Sequence, residues 1–359
     1  MDSTGVRIEP SSTGAIQGSP ESTPDVEKRL VGDQTGALVI SLDFELHWGV
    51  RDRVLLDDAE RARLLQARDG IPRILDLFEE YSVHATWAVV GLLFARSSEE
   101  AEAFRPHKEP NYRDARLNPY REKIGKGEND DPFHFAPSLI DQIAKRRGQE
   151  IASHSFSHYY CLEPGQTGEE FESDLQSAIA IAANAGYTLR SYVFPRNQVN
   201  PPYLTALRRS GILAYRGNEP IEVRKAGSFA EQRRPDRRIA RLLDTYADIY
   251  GPLTVARPTS SELLSVPASR YFRAYRPALG LLEPYLLRRI AGAMKYAAEH
   301  AEVFHLWWHP EDLAAHVDQN LRILRSLLQT FAEYRARYEM VSLSMAELVE
   351  PFRRLAGTT

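Results

Sequence analysis

Short apolar segments alternate with amphipathic segments along most of this chain, and this alternation limits the folds that it can adopt. The apolar segments lie at 37–42, 84–90, 150–152, 191–194, 212–215, 303–308 and 340–343. Helical spacing of apolar residues is found at 70–81, 137–147, 203–209, 317–338 and 346–355. Short uninterrupted apolar runs are typical of strands buried on both faces. The alternation therefore predicts an α/β fold with a mainly parallel sheet, open or closed into a barrel.

Two regions fall outside this alternation. Residues 1–36 are rich in Ser, Thr, Gly, Pro and Asp, and we predict a disordered N-terminal tail there. The remaining chain, 37–355, is predicted to be a single domain, in which 217–299 is an insertion or variable region. The basic cluster at 233–238 is interpreted as a solvated loop or helix start. Pro72 is expected in the first turn of its helix, where proline is tolerated.

Charge and cysteine content narrow the class of protein. A net charge of -4 over 359 residues gives no basic footprint, so nucleic acid is not expected as a partner. The single cysteine, Cys161, excludes an intramolecular disulfide and fits a reducing compartment. The sequence shows no signal-peptide pattern and no apolar run of about 18 residues. We therefore expect a cytoplasmic protein without a membrane span.

The first apolar strand runs into alternating polar residues. Asp43, Glu45 and His47 alternate with apolar residues, and they point the same way if the strand continues. A carboxylate pair at this spacing suits a site in which one carboxylate holds a metal and the other accepts a proton. The spacing leaves open which carboxylate does which.

Two histidines follow the third strand. His154 and His158 stand four residues apart, so on a helical turn they share one face and can bind one metal. The metalloprotease signature is absent, because no glutamate follows His154. Two imidazoles with a carboxylate also occur in Fe(II) oxygenases. Those enzymes are usually antiparallel β-sandwiches, which the strand–helix alternation disfavours.

Two further strand ends carry polar side chains. Arg196 follows one strand and could pair with a carboxylate, which would keep that carboxylate ionised. Strand alternation places His305, Trp307 and His309 on one side of another strand. Aromatic rings beside a histidine suit a sugar site, whereas His305 is interpreted as a buried hydrogen-bonding residue.

In this order the motifs resemble those of the polysaccharide deacetylase family, the NodB-homology carbohydrate esterases. The motifs are Asp43-Phe44-Glu45, His154-Ser155-Phe156-Ser157-His158, Phe194-Pro195-Arg196 and Leu306-Trp307-Trp308-His309-Pro310. The resemblance spans about 38–349 and implies a distorted (β/α) barrel of mainly parallel strands. The chain departs from the family pattern in spacing its two carboxylates and in placing Arg196 after the proline.

The resemblance also implies roles for these residues. Glu45, His154 and His158 would hold one divalent metal, for which zinc is the first choice and cobalt, nickel or iron are alternatives. Asp43 would be the general base, oriented by Arg196, and His309 would protonate the departing amine. The residues expected to contact substrate are His47, Trp48, Trp307 and Trp308.

The function implied is that of a hydrolase of carbon–nitrogen bonds other than peptide bonds. It would remove an N-acyl group, normally acetyl, from an amino sugar or polysaccharide precursor. Because the sequence shows no export signal, we expect the N-acylated sugar to be an intracellular precursor, for example a nucleotide-linked or lipid-linked one. The alternatives are a hydrolase of a non-sugar linear or cyclic amide and a non-catalytic carbohydrate-binding protein.

Overall fold

The computed structural model describes residues 35–219, 221, 227–228, 231, 234–257 and 263–350, apart from the side chains of Arg238 and Arg241. The predicted tail up to residue 34, Arg233 of the basic cluster and residues 351–355 of the predicted last helix lie outside these ranges. Asp33–Thr359 forms one compact unit. Among the described residues, every helix is too short or too polar to cross a membrane.

One sheet organises the described part of the chain. Its strands, in chain order, are β1 Ala37–Phe44, β2 Ala85–Val89, β3 Gln149–Ser153, β4 Ser191–Tyr192, β5 Ala214–Gly217, β6 Val255–Ala256, β7 Leu264–Pro267, β8 Arg270–Tyr271, β9 Glu302–Trp308 and β10 Val341–Leu343. Their order in the sheet is β6-β9-β1-β2-β3-β4-β5-β7, and β10 and β8 pair with β1 and β9 respectively. The pairings are parallel except for the antiparallel pair of β6 with β9.

The segment that contains β7 and β8 brings the two ends of this sheet together. β7 pairs with β5, and β8, which begins three residues later, pairs with β9. Between them, the Ser269 backbone N–H donates to the His305 carbonyl at 2.8 Å. The sheet is therefore a nearly closed, mainly parallel barrel, which confirms the predicted fold class.

Helices surround the barrel. Within the described residues they are α1 Asp58–Glu80, α2 Ser98–Ala103, α3 Pro137–Lys145, α4 Gly168–Asn184, α5 Leu204–Arg209, α6 Pro235–Tyr246, α7 Glu283–His300 and α8 Val317–Tyr338. The prediction that Pro72 lies in the first turn of its helix is wrong, because α1 begins at Asp58. Asp57 caps that earlier start by accepting the Glu60 backbone N–H at 2.9 Å. Pro72 is therefore inside α1, where it removes one helical hydrogen bond.

The barrel interior changes in character along its axis. Ala37 and Val39 of β1 belong to an apolar cluster inside the barrel with residues such as Val193 and Val303. Two-residue alternation carries the same face of β1 onward to Ser41 and Asp43, which are buried and polar. Polar groups therefore collect at the carboxyl ends of the strands, where parallel barrels place their chemistry.

Candidate active site

The first carboxylates lie where β1 stops. Asp43 is in the strand, whereas Leu46 has a φ of 49° and turns the chain into a short helical turn at Leu46–Gly49. Glu311 holds the turn by accepting the backbone N–H groups of Glu45 and Leu46 at 3.1 and 2.6 Å. The expected strand alternation therefore ends before His47.

The two motif histidines converge on Glu45. Nε2 of His154 lies 2.9 Å from Glu45 Oε1, and Nε2 of His158 lies 3.0 Å from the same oxygen. All three side chains are buried, and one donor atom from each could bind a common metal. The Nδ1 atoms of both histidines are buried and have no hydrogen-bond partner among the described residues.

The histidine motif is a loop, so the predicted helical turn is wrong. Ser155 and His158 adopt positive φ values of 62° and 58°, which an α-helix does not contain. Asp174 of α4 replaces helical hydrogen bonds by accepting the backbone N–H groups of Phe156 and Ser157 at 2.7 and 3.1 Å. The loop brings both imidazoles to one oxygen by a different route from the one expected.

Arg216, rather than Arg196, pairs with Asp43. Its Nη1 and Nη2 donate to the two Asp43 oxygens at 2.6 Å each, and both side chains are buried. Arg196 instead donates to both oxygens of Asp52 at 2.6 Å. Arg196 adopts a φ of 54° in the turn after β4, and its side chain is directed to Asp52. The expectation that Arg196 orients Asp43 is therefore wrong.

His309 lies beside both carboxylates. Its Nε2 is 3.6 Å from Glu45 Oε1 and 3.8 Å from Asp43 Oδ2. Its Nδ1 lies 2.9 Å from Asp312 Oδ2, which fixes the orientation of the ring. The Tyr271 hydroxyl donates to the same Asp312 oxygen.

Electrostatics keep the carboxylates charged. Burial alone would raise the pKa of Asp43, but the Arg216 guanidinium and nearby imidazoles outweigh burial and hold it below its ordinary value. Burial likewise opposes ionisation of Glu45, yet its imidazole neighbours hold its pKa well below the ordinary value. Burial would lower the pKa of His309, but Glu45 and Asp312 raise it to about 10. The cluster thus pairs ionised carboxylates with a protonated His309.

A cavity of about 770 Å³ opens onto this cluster. Its lining includes Asp43, Glu45, His158, Arg196, Tyr271, Arg273, Arg276, Trp307 and His309. Of the four residues expected to contact substrate, Trp307 is the one that lines it. The Arg216 guanidinium carbon lies 4.3 Å from the centroid of the Trp307 ring.

The other three expected substrate contacts are directed elsewhere. Trp308 alternates to the outer face of β9 and packs against Phe272 at 5.3 Å between ring centroids. Trp48 is buried and donates from Nε1 to the His134 carbonyl at 3.0 Å. His47 is buried in the turn after β1, with its ring edge against that of His134. His47, Trp48 and Trp308 therefore lie outside the cavity lining, which differs from the expectation that they contact substrate.

His305 is the buried hydrogen-bonding residue that its strand position indicated. Its Nε2 lies 2.8 Å from Ser41 Oγ and its Nδ1 lies 3.2 Å from the Val266 carbonyl. Burial and the Arg216 charge lower its pKa to about 3, so it is neutral.

Sequence reasoning missed several site residues, and three of them hold other site groups in place. Arg216 directly follows the predicted strand at 212–215, so its position was a usable signal. Asp312 follows His309 by three residues, a spacing that allows contact in a turn. Asp174 lies in α4, far along the chain from the loop that it holds, and no local pattern marks it.

The barrel and its cluster define a class: an α/β-barrel protein with carboxylates and imidazoles converging at the carboxyl ends of its strands. Residues 55–215 match the sequence model of the polysaccharide deacetylase family. This match covers 161 of the 359 residues and confirms the resemblance to that family. The chain is accordingly a hydrolase of carbon–nitrogen bonds other than peptide bonds. The matched range contains His154, His158 and Arg196 but begins after Asp43 and Glu45.

Solved structures show the same fold. A protein from Mycobacterium smegmatis, described as a polysaccharide deacetylase, aligns with a TM-score of 0.53 at 15% identity, covering 90% of this chain and 92% of its own. A protein from Pseudomonas aeruginosa with the same description aligns with a TM-score of 0.51 at 12% identity, with the same coverage. No curated protein matches the chain significantly.

Proposed function

We propose that this chain is a metal-dependent deacetylase that removes an N-acetyl group from an amino sugar. The observation that carries this proposal is the convergence of two buried imidazole nitrogens on one Glu45 oxygen beside a large cavity. We assign Glu45, His154 and His158 as the ligands of one divalent ion. Two imidazoles and one carboxylate suit zinc, and they also suit cobalt, nickel or iron.

The donor set fits such an ion. The three side chains are buried, and a carboxylate with two imidazoles provides the protein ligands usual in catalytic zinc sites. When bound, a divalent ion supplies Lewis-acid polarisation of the acyl carbonyl and of water. Metal-binding histidines usually donate from their second nitrogen, but the Nδ1 atoms of these two have no partner among the described residues. Positioning of the rings therefore depends on the loop backbone.

The chain's own residues supply the proton transfers. Asp43, held ionised by Arg216, accepts a proton from the water that attacks the acyl carbon. His309, held by Asp312, donates a proton to the nitrogen as the carbon–nitrogen bond breaks. The products are the free amine and acetate. Arg216 and Asp312 position these groups and do not contact substrate in this scheme.

The cavity supports a sugar that carries phosphate. Trp307 and Tyr271 provide ring faces near His309, and aromatic faces stack on the apolar faces of sugars. Arg273 and Arg276 line the same cavity, and no carboxylate of the described residues forms an ion pair with either. Arginine is well suited to binding phosphate. These two arginines favour a nucleotide-linked or lipid-linked N-acetyl sugar as substrate over a neutral polymer.

The test is acetate release from three classes of N-acetyl sugar: a neutral oligosaccharide, a nucleoside-diphosphate sugar and a polyprenyl-phosphate sugar. We expect release by the zinc-loaded parent and a loss of at least about 100-fold in Asp43→Asn, the loss expected for a missing general base. Arg273→Ala/Arg276→Ala should raise KM for phosphate-linked substrates and leave KM for the neutral one unchanged. If hydrolysis is confined to non-sugar amides, the sugar assignment is wrong.

A further inference from the structure

We propose a second metal site in this protein, formed by His47, His134 and Glu122. One donor atom from each residue lies within 4.8 Å of the others. None of the three lines the cavity beside Glu45. The inference concerns a separate cluster, so it does not depend on the deacetylase proposal.

The hydrogen bonds of His134 leave its Nε2 available as a metal ligand. Its side chain is buried, and its Nδ1 lies 2.8 and 3.0 Å from the two oxygens of Asp131. An ionised carboxylate can only accept, so Nδ1 carries the proton and Nε2 of the neutral ring has a free lone pair. That Nε2 is buried and has no hydrogen-bond partner among the described residues. A carboxylate behind the imidazole of a metal-binding histidine is a recurrent arrangement.

Glu122 provides the carboxylate. Its Oε1 lies 3.9 Å from Nε2 of His134, which is too long for a hydrogen bond. Ligand bonds of about 2.0–2.2 Å place two donors of one ion roughly 3–4 Å apart, so this separation suits a shared ion. The Glu122 side chain is partly exposed, which gives an ion access from solvent.

His47 provides the second imidazole. It is buried, its ring meets that of His134 edge-on at 5.3 Å, and its Nδ1 has no hydrogen-bond partner among the described residues. The Glu60 carboxylate is 4.0 Å from that nitrogen, but it is engaged by Arg63 at 2.7 and 2.8 Å. Two buried imidazoles with unsatisfied nitrogens are costly unless something binds them.

An ion here would tie two segments together. The backbone already links them: the His47 N–H donates to the Phe133 carbonyl at 3.2 Å, and Trp48 Nε1 donates to the His134 carbonyl. The turn that contains His47 directly follows Glu45. A bound ion would therefore stabilise the segment around 122–134 against the turn beside the active site. We infer a structural role, since the cluster does not line the cavity.

The experiment counts bound zinc per chain, after dialysis, in the parent and in two double variants. We expect two ions in the parent, one in His47→Ala/His134→Ala and one in His154→Ala/His158→Ala. The variant that combines all four changes should bind none. His84→Ala is the matched control, because His84 pairs with Glu347 outside both clusters and its loss should leave two ions.

A further variant distinguishes loss of the second metal site from misfolding of the protein. Glu122→Gln changes a partly exposed side chain, so the fold should persist by circular dichroism while zinc affinity of the second site falls at least tenfold. One ion in the parent and no change in affinity in Glu122→Gln would overturn the proposal. Loss of zinc confined to the His154→Ala/His158→Ala variant would also overturn it, and would leave the deacetylase proposal intact.

Discussion

At the scale of single residues, the roles depend on which partner each charged group meets. Arg196 follows β4 and Arg216 lies in β5, and each donates to both carboxylate oxygens of an aspartate. Arg216 uses two nitrogens for this contact, whereas Arg196 uses Nη2 alone. The partner of Arg216 is Asp43, and that of Arg196 is Asp52. Sequence motifs supplied Asp43 and the two histidines, but they could not show which arginine reaches Asp43. That pairing depends on where β4 and β5 place the two arginines in the folded barrel, which local sequence patterns do not show.

Replacing Arg216 tests this pairing. Arg216→Lys keeps the charge but loses the planar fork that holds both oxygens of Asp43, so kcat/KM should fall about 100-fold. Its pH profile should also shift, because the pKa of Asp43 rises when the pairing weakens. The matched change Arg196→Lys should lower kcat/KM by less than about tenfold. Equal losses in the two variants would refute the assignment of Arg216 as the residue that positions Asp43.

Asp174 gives stability a pH dependence. Burial raises its pKa to about 6, although Ser157 and the loop N–H groups partly oppose this. A raised folded pKa gives a contribution that is present below about pH 3.9, the unfolded value, and is lost as pH rises through about 6. The loss is up to about 3 kcal/mol by pH 7.5.

Asp174→Asn removes this ionisation. In urea unfolding without added metal, the free energy of unfolding of the parent should fall relative to that of the variant between pH 4.5 and 7.5. The comparison at each pH cancels the titration of other groups. Parallel curves for the two proteins would show that Asp174 ionises as easily in the folded protein as in the unfolded chain.

At the scale of elements, the histidine loop depends on a close backbone contact. Gly91 donates its N–H to the Ser155 carbonyl at 2.8 Å, and Leu92 donates to the Phe156 carbonyl at 3.0 Å. A Cβ on Gly91 would lie 2.8 Å from the Phe156 Cα, closer than atoms can approach. The contact explains why a glycine follows β2 and how β2 fixes the loop between His154 and His158.

Gly91→Ala should therefore displace the loop. We expect a loss of about 1–3 kcal/mol in the free energy of unfolding, together with weaker zinc binding at the first site. Gly292→Ala is the control: it lies inside α7 with no atom within 4 Å of the added Cβ, and it should stabilise by about 0.5–1 kcal/mol. Denaturant unfolding and zinc titration of both variants measure these effects. If Gly91→Ala is destabilised but its zinc affinity is unchanged, metal binding does not depend on this loop contact.

The elements themselves were unequally predictable. The span of α8 and the core of β1 follow from apolar periodicity and an uninterrupted apolar run. The same reasoning gave the wrong structure for the histidine motif. Its backbone forms hydrogen bonds with Asp174 and Gly91, which belong to other parts of the chain, instead of the internal hydrogen bonds of a helix. The first half of α1 was missed because it is mostly polar, and its cap at Asp57 was the available signal.

At the scale of the whole molecule, barrel closure lies in the segment whose sequence pattern is least regular. β6, β7 and β8 are two to four residues long, which is too short for an alternation of apolar and polar residues to be recognised in the sequence. Yet β7 and β8 join the two ends of the sheet and bring Tyr271 to the site. That 217–299 is an insertion or variable region stays a prediction. Part of this region nevertheless completes the sheet.

A metal ion bound at the first site, formed by Glu45, His154 and His158, should stabilise the whole fold. An ion that binds the folded state alone adds about 4 kcal/mol to the free energy of unfolding at 1,000 times its Kd. Chelator-treated protein should therefore gain stability on zinc addition, and His154→Ala/His158→Ala should gain less. Thermal unfolding with and without zinc measures both. Equal gains in parent and variant would place the stabilising ion elsewhere.

The most direct test of the central claim is acetate release by chelator-treated protein as zinc is added, with a phosphate-linked N-acetyl sugar as substrate. We predict no release without metal, and release that rises with zinc until the first site is filled. His154→Ala/His158→Ala should stay inactive at every zinc concentration while remaining folded by circular dichroism. Equal release by the metal-free parent, or by the double variant, would contradict the account.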